Sequence, residues 1–289
     1  MGSKNALIPY AEIDGRIQEC EDLLAQNKVE GGLIYIYDAS CQQDSADAAA
    51  EVSEDAANEL DGVATPIIIY TDSADAKDDD GGVGADSVTI WGVNEDGDGY
   101  TSDTIKTGGA GPTYTAGTVK FMRLFPPYVS VVGTEKDNVA EVAITSAAGG
   151  TEYFAIAIAK NIVGSLICWI APGWKCKIVH MHVESAEAAV GGSMANTIID
   201  GVRLSLAQTN GSHNETHVSN IPVTIFNAGA NMYSTAETGH FEVFEHKTYP
   251  LGGVDTVPVK LQFTIETYDD GDHVLANYFV RYMLWKPKA

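Results

Sequence analysis

The stretch that decides the fold is PVKLQFTIET at residues 258–267, in which apolar and polar residues alternate. The apolar residues are Val259, Leu261, Phe263 and Ile265. The polar residues between and after them are Lys260, Gln262, Thr264 and Glu266. Successive side chains of a β-strand point to opposite faces of its sheet. The alternation therefore predicts a strand with one face in a core and the other, which carries Lys260, in solvent.

The same period of two recurs from about residue 87 to the end of the chain. Examples are SVTIWGV (87–93), VKFMRLF (119–125), YFAIAIA (153–159) and ANYFVRYML (276–284). Turn-forming residues separate such stretches, as in NEDGDG (94–99). About eleven strands spaced by turns are typical of β-sandwich domains and not of alternating βαβ units.

The first 64 residues have a different character and predict a small α/β element. Residues 10–27 place apolar residues on one helical face, and the Ala-rich stretch 44–60 runs from an Asp/Ser start to a stop at Gly62. The apolar run LIYIY (33–37) between them predicts a short strand. The apolar stripe of the first helix is narrow. We therefore expect this acidic element to contact neighbouring subunits or a shell, or alternatively to pack on its own chain.

A Gly-rich stretch near residues 147–152 separates two groups of predicted strands. The first group fits an immunoglobulin-like sandwich, and the second, with about eight longer strands, fits a jelly roll. We therefore predict a mainly β protein in three parts. These are an acidic helical and strand element at 1–64, a small β-sandwich at 65–150 and a jelly-roll-like β-sandwich at 151–289.

Charge argues against two classes of partner. The chain has 40 Asp and Glu against 17 Lys and Arg, a formal net charge of −23. Residues 1–110 hold 24 acidic and 5 basic residues, which gives −19, and residues 111–289 hold 16 and 12, which gives −4. Proteins bind nucleic acid by placing Lys and Arg against its phosphates, so a chain this acidic is poorly suited to bind nucleic acid. For the same reason it is poorly suited to bind anionic membranes. The N-terminus lacks the apolar segment of a secretory signal, so we expect synthesis in the cytoplasm.

Two acidic loops are candidates for calcium binding. One contains Asp78, Asp79 and Asp80. The other resembles the start of an EF-hand loop, with first, third, fifth and sixth positions occupied by Asn94, Asp96, Asp98 and Gly99. Its twelfth position is Ile105 instead of a bidentate Glu, and no helices flank it. We favour the alternative of solvated hairpin loops without metal.

Four cysteines are too few for a disulfide scaffold at this length. Cys168 and Cys176 flank a Pro-Gly turn, and we expect reduced, apolar thiols that face each other on neighbouring strands. On a regular strand Cys176, His180 and His182 share one face and form a conceivable metal triad. No fourth ligand has suitable spacing. We therefore predict that zinc is not bound and that the histidines face solvent or a neighbouring subunit.

The sequence carries no recognisable catalytic signature. It has no Walker loop, HExxH or CxxC motif. The near-matches GGVGADS (81–87) and GGSMA (191–195) lack the required last residue and the flanking elements. We predict a protein without catalytic, cofactor-binding or metal-binding residues, and not an enzyme.

Four stretches together resemble a family of virion structural proteins of tailed bacteriophages that is common in marine phages. They are DDDGGVGADSVTIWGVNEDGDGYTSDTI (78–105), FMRLFPPYVSVVG (121–133), WIAPGWKCKIVHMHVES (169–185) and YPLGGVDTVPVKLQFTIETYDDGDHVLANYFVRYML (249–284). The motifs are turn-and-strand patterns: an Asp-rich lead with a GGxGA turn, an F-x-R strand, a P-A-G-K strand pair and a final P-L turn. Ala171 and Pro172 are swapped relative to the family pattern, and Trp174 stands where Lys is usual. The first 64 residues lie outside the resemblance.

The resemblance implies a role in a virus particle. The chain is expected to be a capsid decoration (cement) or minor capsid protein that stabilises the shell, made in the host cytoplasm and present in the virion. The expected partners are the major capsid protein or other virion proteins, and further copies of the chain, with a trimer favoured. The alternative is a host-facing carbohydrate- or receptor-binding module of a tail or fibre. Four aromatic residues are candidate contact anchors: Trp91, Tyr100, Trp169 and Trp174. The alternative is that each belongs to the core.

Overall fold

The computed structural model describes residues 22–45, 50–51, 60, 63–71, 78, 81–108, 113–148, 150–187, 202–209, 216–225, 234–238, 243–245, 258–267 and 274–289. These ranges contain one short helix, at residues 22–25, and seventeen β-strands. In chain order the strands are β1 (Val29–Ser45), β2 (Ala50–Glu51), β3 (Thr65–Thr71), β4 (Ala85–Asn94), β5 (Tyr100–Lys106), β6 (Thr113–Leu124), β7 (Tyr128–Val132), β8 (Val142–Thr145), β9 (Glu152–Ile156), β10 (Cys168–Ile170), β11 (Lys175–Glu187), β12 (Val202–Thr209), β13 (Thr216–Ile225), β14 (Ser234–Thr238), β15 (Val243–Glu245), β16 (Val259–Thr267) and β17 (Val274–Pro287). The predicted mainly β fold is confirmed.

The first sheet contains seven strands in the order β5-β4-β6-β3-β8-β9, with β7 paired to β4. Every pairing in it is antiparallel, and its buried apolar residues form one core cluster. After β9 the chain returns alongside β7, where Tyr128 and Ile162 form an antiparallel bridge. This return places the turn at 157–160, closed by a hydrogen bond from Lys160 N to Ala157 O, next to β7.

Strands β10–β17, together with β1 and β2 from the N-terminal part, form a sandwich of two five-stranded sheets. The second sheet has the order β1-β17-β11-β14 with β15 on β11, and the third has the order β10-β16-β12-β13 with β2 on β16. The turn Ala171–Trp174 carries the chain from β10 to β11, and Gly173, with φ at 77°, takes its left-handed position after Pro172. Cys168 hydrogen-bonds to Cys176. The predicted contact between these two free thiols is confirmed, but their strands belong to different sheets.

The predicted helix 44–60 is wrong at its described ends. Residues 44–45 belong to β1 and residues 50–51 form β2, while residues 46–49 and 52–59 lie outside the described residues. The β1–β17 ladder is regular from Ile34 opposite Trp285 to Ser45 opposite Val274. At residues 44–45 this nonlocal ladder overrides local helix preference, since propensity is only a weak prior.

The remaining predictions for the N-terminal region have mixed outcomes. The predicted strand 33–37 is confirmed as the middle of the longer β1. Within the predicted helix 10–27, residues 22–25 are helical, and residues 10–21 lie outside the described residues. Because β1 is hydrogen-bonded to β17, residues 29–45 pack on their own chain.

Two strand pairings bear on the predicted division into domains. β1 from the N-terminal part joins the sheet of β17, and β9, which follows the Gly-rich stretch, pairs with β8 of the first sheet. The division into 1–64, 65–150 and 151–289 stays a prediction.

Lys260 departs from the alternation expected of its strand. β16 matches the predicted strand, but Lys260, expected to face solvent, is buried. It lies opposite Trp169 in the β10–β16 ladder, and the guanidinium of Arg123 from the first sheet stands 4.7 Å from the centroid of the Trp169 ring. The first sheet therefore covers this face of the third sheet and excludes water from it.

Candidate functional site

The aromatic residues predicted as contact anchors lie inside the molecule. Tyr100, Trp169 and Trp174 are buried, and Trp91 is half-buried. Ring contacts connect the first sheet to β1, β17 and the turn before β11 through an aromatic joint whose members are Tyr35, Tyr37, Trp91, Tyr100, Phe125, Trp174 and Tyr282. The alternative interpretation of these four residues, that they belong to the core, is confirmed. A contact surface would have to be formed by other residues.

Burial dominates the acid–base chemistry of the aromatic joint. Desolvation raises the pKa values of Tyr37, Tyr100 and Tyr282 well above the ordinary value of tyrosine, and the nearby Cys168 raises all three further. Desolvation also raises the pKa of the Cys168 thiol, and its hydrogen bond with Cys176 adds to the rise. A protonated, buried thiol is a poor nucleophile, because the thiolate is the reactive form. The joint is therefore built for packing and not for chemistry.

The acidic loop at 78–80 is anchored to the backbone where the structure describes it. The Asp78 carboxylate is buried and accepts hydrogen bonds from the backbone N–H groups of Ala85 at 2.6 Å, Val139 at 2.9 Å and Ala140 at 2.5 Å. Both of its oxygens are used by these donors. Asp78 therefore joins loops of the first sheet, and the prediction that it lies in a solvated loop is wrong. Asp79 and Asp80 lie outside the described residues.

The second acidic loop is a closed hairpin turn between β4 and β5. The side-chain oxygen of Asn94 accepts from the N–H groups of Asp98 and Gly99, and Asn94 N donates to Gly99 O at 3.0 Å. The indole N–H of Trp174 donates to the Asp98 carbonyl at 2.8 Å. Asn94 thus organises the turn, and Asp96 at its tip is exposed to solvent. The predicted hairpin loop is confirmed.

The proposed triad of Cys176, His180 and His182 is separated by an irregularity in β11. A β-bulge lies between Cys176, which is opposite Leu284, and His180, which is opposite Arg281 in the β11–β17 ladder. The backbone register of β11 therefore shifts by one residue between Cys176 and His180. The even spacing of the three residues along a regular strand, on which the conceivable triad depended, is interrupted by this bulge. The side chains of His180 and His182 lie outside the described part of the structure.

Two further searches cover the described part of the chain only. Within it, no group of three or more His, Cys, Asp or Glu residues is placed to hold a metal ion. No helix there has the length and apolar character needed to cross a membrane. The expected absence of metal sites remains a prediction for the whole chain.

Large apolar side chains are exposed along β7 and the turn beside it. We call this group of exposed residues the β7 surface, and its members are Tyr128, Val131, Val132, Ile158 and Ile162. Tyr128 and Ile162 are joined by a bridge, whereas the successive residues Val131 and Val132 point to opposite faces of their strand. Ile158 is 61% exposed and Ile162 is 45% exposed. Single exposed apolar residues are ordinary, but a group of them marks interaction surfaces in soluble proteins.

Two asparagines brace the loops that present the β7 surface. Asn138 N donates to the Asn161 side-chain oxygen at 3.0 Å, and Asn161 N donates to the Asn138 side-chain oxygen at 3.2 Å. The Asn138 amide also donates to the carbonyls of Ala140 and Ala157, both at 2.8 Å. Asn161 in turn donates to Lys136 O at 2.8 Å. These bonds fix the loop at 133–141 against the turn at 157–160.

The same loops hold most of the unusual backbone of the described residues. Four residues other than glycine have positive φ there, and three of them are in these loops: Lys136 at 68°, Ala159 at 61° and Asn161 at 57°. Side chains with a Cβ disfavour this region, and such conformations persist only where surrounding contacts enforce them. The loops beside the β7 surface therefore adopt a costly backbone conformation that their mutual hydrogen bonds enforce.

Charged residues border the β7 surface. Glu135, Lys136, Asp137 and Lys160 are all exposed. The Asp137 carboxylate accepts a hydrogen bond from the Asn161 amide at 2.8 Å. Neither Lys136 nor Lys160 has an ion pair within the described part of the chain. Two cations therefore stand beside exposed apolar residues in a chain of strongly negative charge.

Further exposed apolar residues lie at and before the start of β1. They are Leu24, Leu33 and Ile36. Ile36 lies directly opposite the buried Met283 in the β1–β17 ladder, so it stands at the rim of the small cluster of Val29, Met283 and Trp285. Leu33 precedes Ile34, which shares the face of Ile36, and so belongs to the other face of the strand. These residues therefore do not form a single surface.

Sequence patterns alone did not reveal the β7 surface. The stretch 153–159 has the period of a strand, but β9 ends at Ile156 and the following turn leaves Ile158 in solvent. The only local signal was the polar pair Lys160-Asn161, which interrupts the apolar stretch.

Comparisons with known proteins leave the family of this chain open. Neither models of known protein families nor curated protein sequences give a match. Among solved structures, a chain of the broad bean stain virus structure is 10% identical, with a TM-score of 0.22 over 79% of this chain and 92% of that one. A chain of the cowpea mosaic virus top component, a naturally occurring empty particle, is 10% identical, with a TM-score of 0.23 over 78% and 88%. A chain of the infectious bursal disease virus Gt strain has a TM-score of 0.12 at 7% identity over 93% and 87%. Similarity at this level assigns neither fold nor function.

Proposed function

We propose that this chain is a structural protein of a tailed-phage virion, most specifically a capsid decoration (cement) or minor capsid protein that stabilises the shell. The observation that carries the proposal is the β7 surface, where exposed apolar residues lie beside loops joined by the Asn138–Asn161 hydrogen bonds. Loops that are braced before binding lose less conformational entropy on binding. The resemblance of residues 78–105, 121–133, 169–185 and 249–284 to phage virion proteins points to the same role.

The mainly β architecture suits a protein that assembles on a particle. Sandwiches offer flat faces and loops to neighbours, and they leave few sheet edges open to uncontrolled pairing. We propose that the partners are the major capsid protein or other virion proteins and further copies of the chain in a trimer. The protein then resides in the virion after synthesis in the host cytoplasm. An enzymatic role is disfavoured because the sequence lacks a catalytic motif.

A second candidate function is recognition of a host carbohydrate or receptor. The observation that favours it is an aromatic pair on the outer face of the first sheet, where the rings of Tyr70 and Tyr114 are stacked with centroids 4.6 Å apart. Tyr114 is exposed. Tyrosine combines an apolar ring with a polar hydroxyl, which suits ligands that have both apolar and polar groups. Binding of the purified chain to host-surface glycans, lost in Tyr114→Ala, would favour this function.

The test of the first proposal is the copy number of the chain in purified particles. Quantitative mass spectrometry of particles, with the major capsid protein as internal reference, gives the ratio of the two chains. A structural protein of the shell is expected at a fixed ratio that survives washing in moderate salt. Absence from purified particles would overturn the proposal, and a few copies per particle would favour the tail or fibre alternative.

A further inference from the structure

We propose that Cys168 and Cys176 form a disulfide bond when the protein meets an oxidising environment, and that this bond braces the third sheet against the second. Both thiols are free and fully buried, and they are hydrogen-bonded to each other. Cys168 lies in β10 of the third sheet, and Cys176 lies in β11 of the second. The bond would therefore join the two sheets of the sandwich covalently.

A neighbouring hydrogen bond already fixes the spacing of the two sheets at this point. The hydroxyl of Tyr282 in β17 donates to the Leu166 carbonyl at 3.1 Å, and this bond is buried. Leu166 is two residues before Cys168. Leu284, two residues after Tyr282, lies opposite Cys176 in the β11–β17 ladder. The two thiols thus face each other where the sheets are held together.

The turn between the two cysteines has room to adjust to the bond. Disulfide formation has to close the sulfur atoms from hydrogen-bond contact to about 2.05 Å. Gly173 in this turn has φ at 77°, and a Cβ added there would meet only the Cε atom of Lys286, at 3.8 Å. A movement of this small size can therefore be absorbed by the turn.

The proposal agrees with the prediction that the thiols are reduced after synthesis. In the cytoplasm, glutathione and thioredoxin keep thiols reduced, whereas disulfides form and persist outside the cell. The chain is then made with two free thiols and gains the bond on exposure to an oxidant. The oxidant that we name is a small-molecule disulfide such as oxidised glutathione.

The reaction is two successive thiol–disulfide exchanges. One cysteine, as its thiolate, attacks a sulfur of the oxidant, forms a mixed disulfide and expels one small thiolate. The second cysteine, as its thiolate, attacks the protein sulfur of the mixed disulfide, forms the Cys168–Cys176 bond and expels the other small thiolate. Two electrons pass to the oxidant, and the two protons lost by the cysteines are taken up by the released thiolates. Because both thiols are buried, the reaction requires local opening and is expected to be slow in the folded chain.

The test begins with the purified full chain and oxidised glutathione in mild urea, which favours local opening. Remaining thiols are alkylated, and tryptic peptides are analysed by mass spectrometry. Trypsin cleaves after Lys175, so the two cysteines lie in separate peptides unless a disulfide joins them. We expect a linked pair of peptides 161–175 and 176–177. Cysteines that stay unlinked here, and also after refolding from full denaturation in a glutathione buffer, would overturn the proposal.

Thermal melting tests whether the bond acts as a brace. The oxidised wild-type chain is expected to melt on the order of 5 °C above the reduced chain. Cys176→Ala is the matched control, because alanine keeps the site small and apolar and cannot form the bond. Cys168→Ala replaces it if Cys176→Ala does not fold. The control is expected to show no rise on oxidation.

Two outcomes of the melting experiment contradict the brace. An equal rise in the control would assign the effect to Cys20 or Cys41. Linked peptides with an unchanged or lower melting temperature would show that the bond forms without stabilising the sandwich. Both readouts use the purified chain alone, so they are independent of the proposed virion role.

Discussion

The phenol of Tyr100 donates a hydrogen bond of 2.8 Å to the backbone carbonyl of Trp169, a residue 69 positions later in the chain. The same oxygen accepts the N–H of Ala171 at 3.0 Å. Tyr100 begins β5 of the first sheet and Trp169 lies in β10 of the third, so one buried hydroxyl joins two sheets. The aromatic joint is therefore specified by directional bonds as well as by packing.

Removal of this hydroxyl is expected to cost stability, whereas removal of a neighbouring one is not. Tyr100→Phe leaves a buried carbonyl and a buried N–H without their partner and is expected to lower the free energy of unfolding by about 1–3 kcal/mol. The Tyr37 hydroxyl is buried with no hydrogen-bond partner within the described residues, so Tyr37→Phe is expected to be neutral or stabilising. Urea unfolding of both variants measures the difference. Equal losses would show that the hydrogen bonds of Tyr100 contribute nothing specific.

Stability is expected to fall in alkali because of the same joint. Burial raises the pKa of Tyr37, Tyr100, Tyr282 and Cys168 above the unfolded values, so between the unfolded and folded pKa the folded state holds more protons. The stabilisation is complete below about pH 8.5 and declines as pH rises above the unfolded values near 8.5 and 10. Each group contributes up to about 1.4 kcal/mol per pH unit in that window. Thermal melting from pH 7 to 11 tests this, and Tyr37→Phe is expected to have the shallower decline.

Asp78 is expected to be a stability residue of the first sheet. Asp78→Ala removes the acceptor of three backbone N–H groups and is expected to cost about 3 kcal/mol or more. Gly84→Ala tests the same contact from the other side, since a Cβ there would lie 2.0 Å from an Asp78 oxygen. We expect a loss of about 1–3 kcal/mol from this overpacking. A Gly84→Ala protein that melts at the wild-type temperature would contradict the tight contact.

Two N-terminal deletions separate folding from assembly. Removal of residues 1–45 deletes β1 and uncovers the edge of β17, so poor folding or aggregation is expected. Removal of residues 1–21 keeps β1, and we expect a folded chain with the melting temperature of the wild type. If the N-terminal element contacts neighbours as proposed, the shorter deletion weakens binding to particles. Unchanged particle occupancy and salt tolerance would restrict that role to residues 22–64.

The elements that sequence patterns predicted are those whose information is local. The alternation at 258–267 identifies β16, and the Pro172-Gly173 pair identifies its turn, because pleat and turn geometry depend on few neighbouring residues. The strand at residues 44–45 was missed because its partner β17 is more than two hundred residues away in sequence, and composition carries no trace of it. Lys260 was assigned to solvent because alternation does not show which sheet covers the second face of a strand.

The candidate site was harder to predict for a related reason. A single inserted residue in β11 shifts the backbone register between Cys176 and His180, and nothing in the sequence marks that bulge. Exposure of Ile158 depends on where β9 ends, and the pairing of Asn138 with Asn161 joins loops that are distant in sequence. Residue types alone gave the opposite expectation, that aromatic residues such as Trp169 would provide the contacts.

The most direct test of the virion role is a comparison of two particle reconstructions by cryo-electron microscopy. One uses particles that contain the chain, and the other uses particles from a strain in which its gene is deleted. The account predicts that the difference density consists of mainly β copies at symmetry-related positions on the shell. Difference density confined to the tail, or none at all, would contradict it.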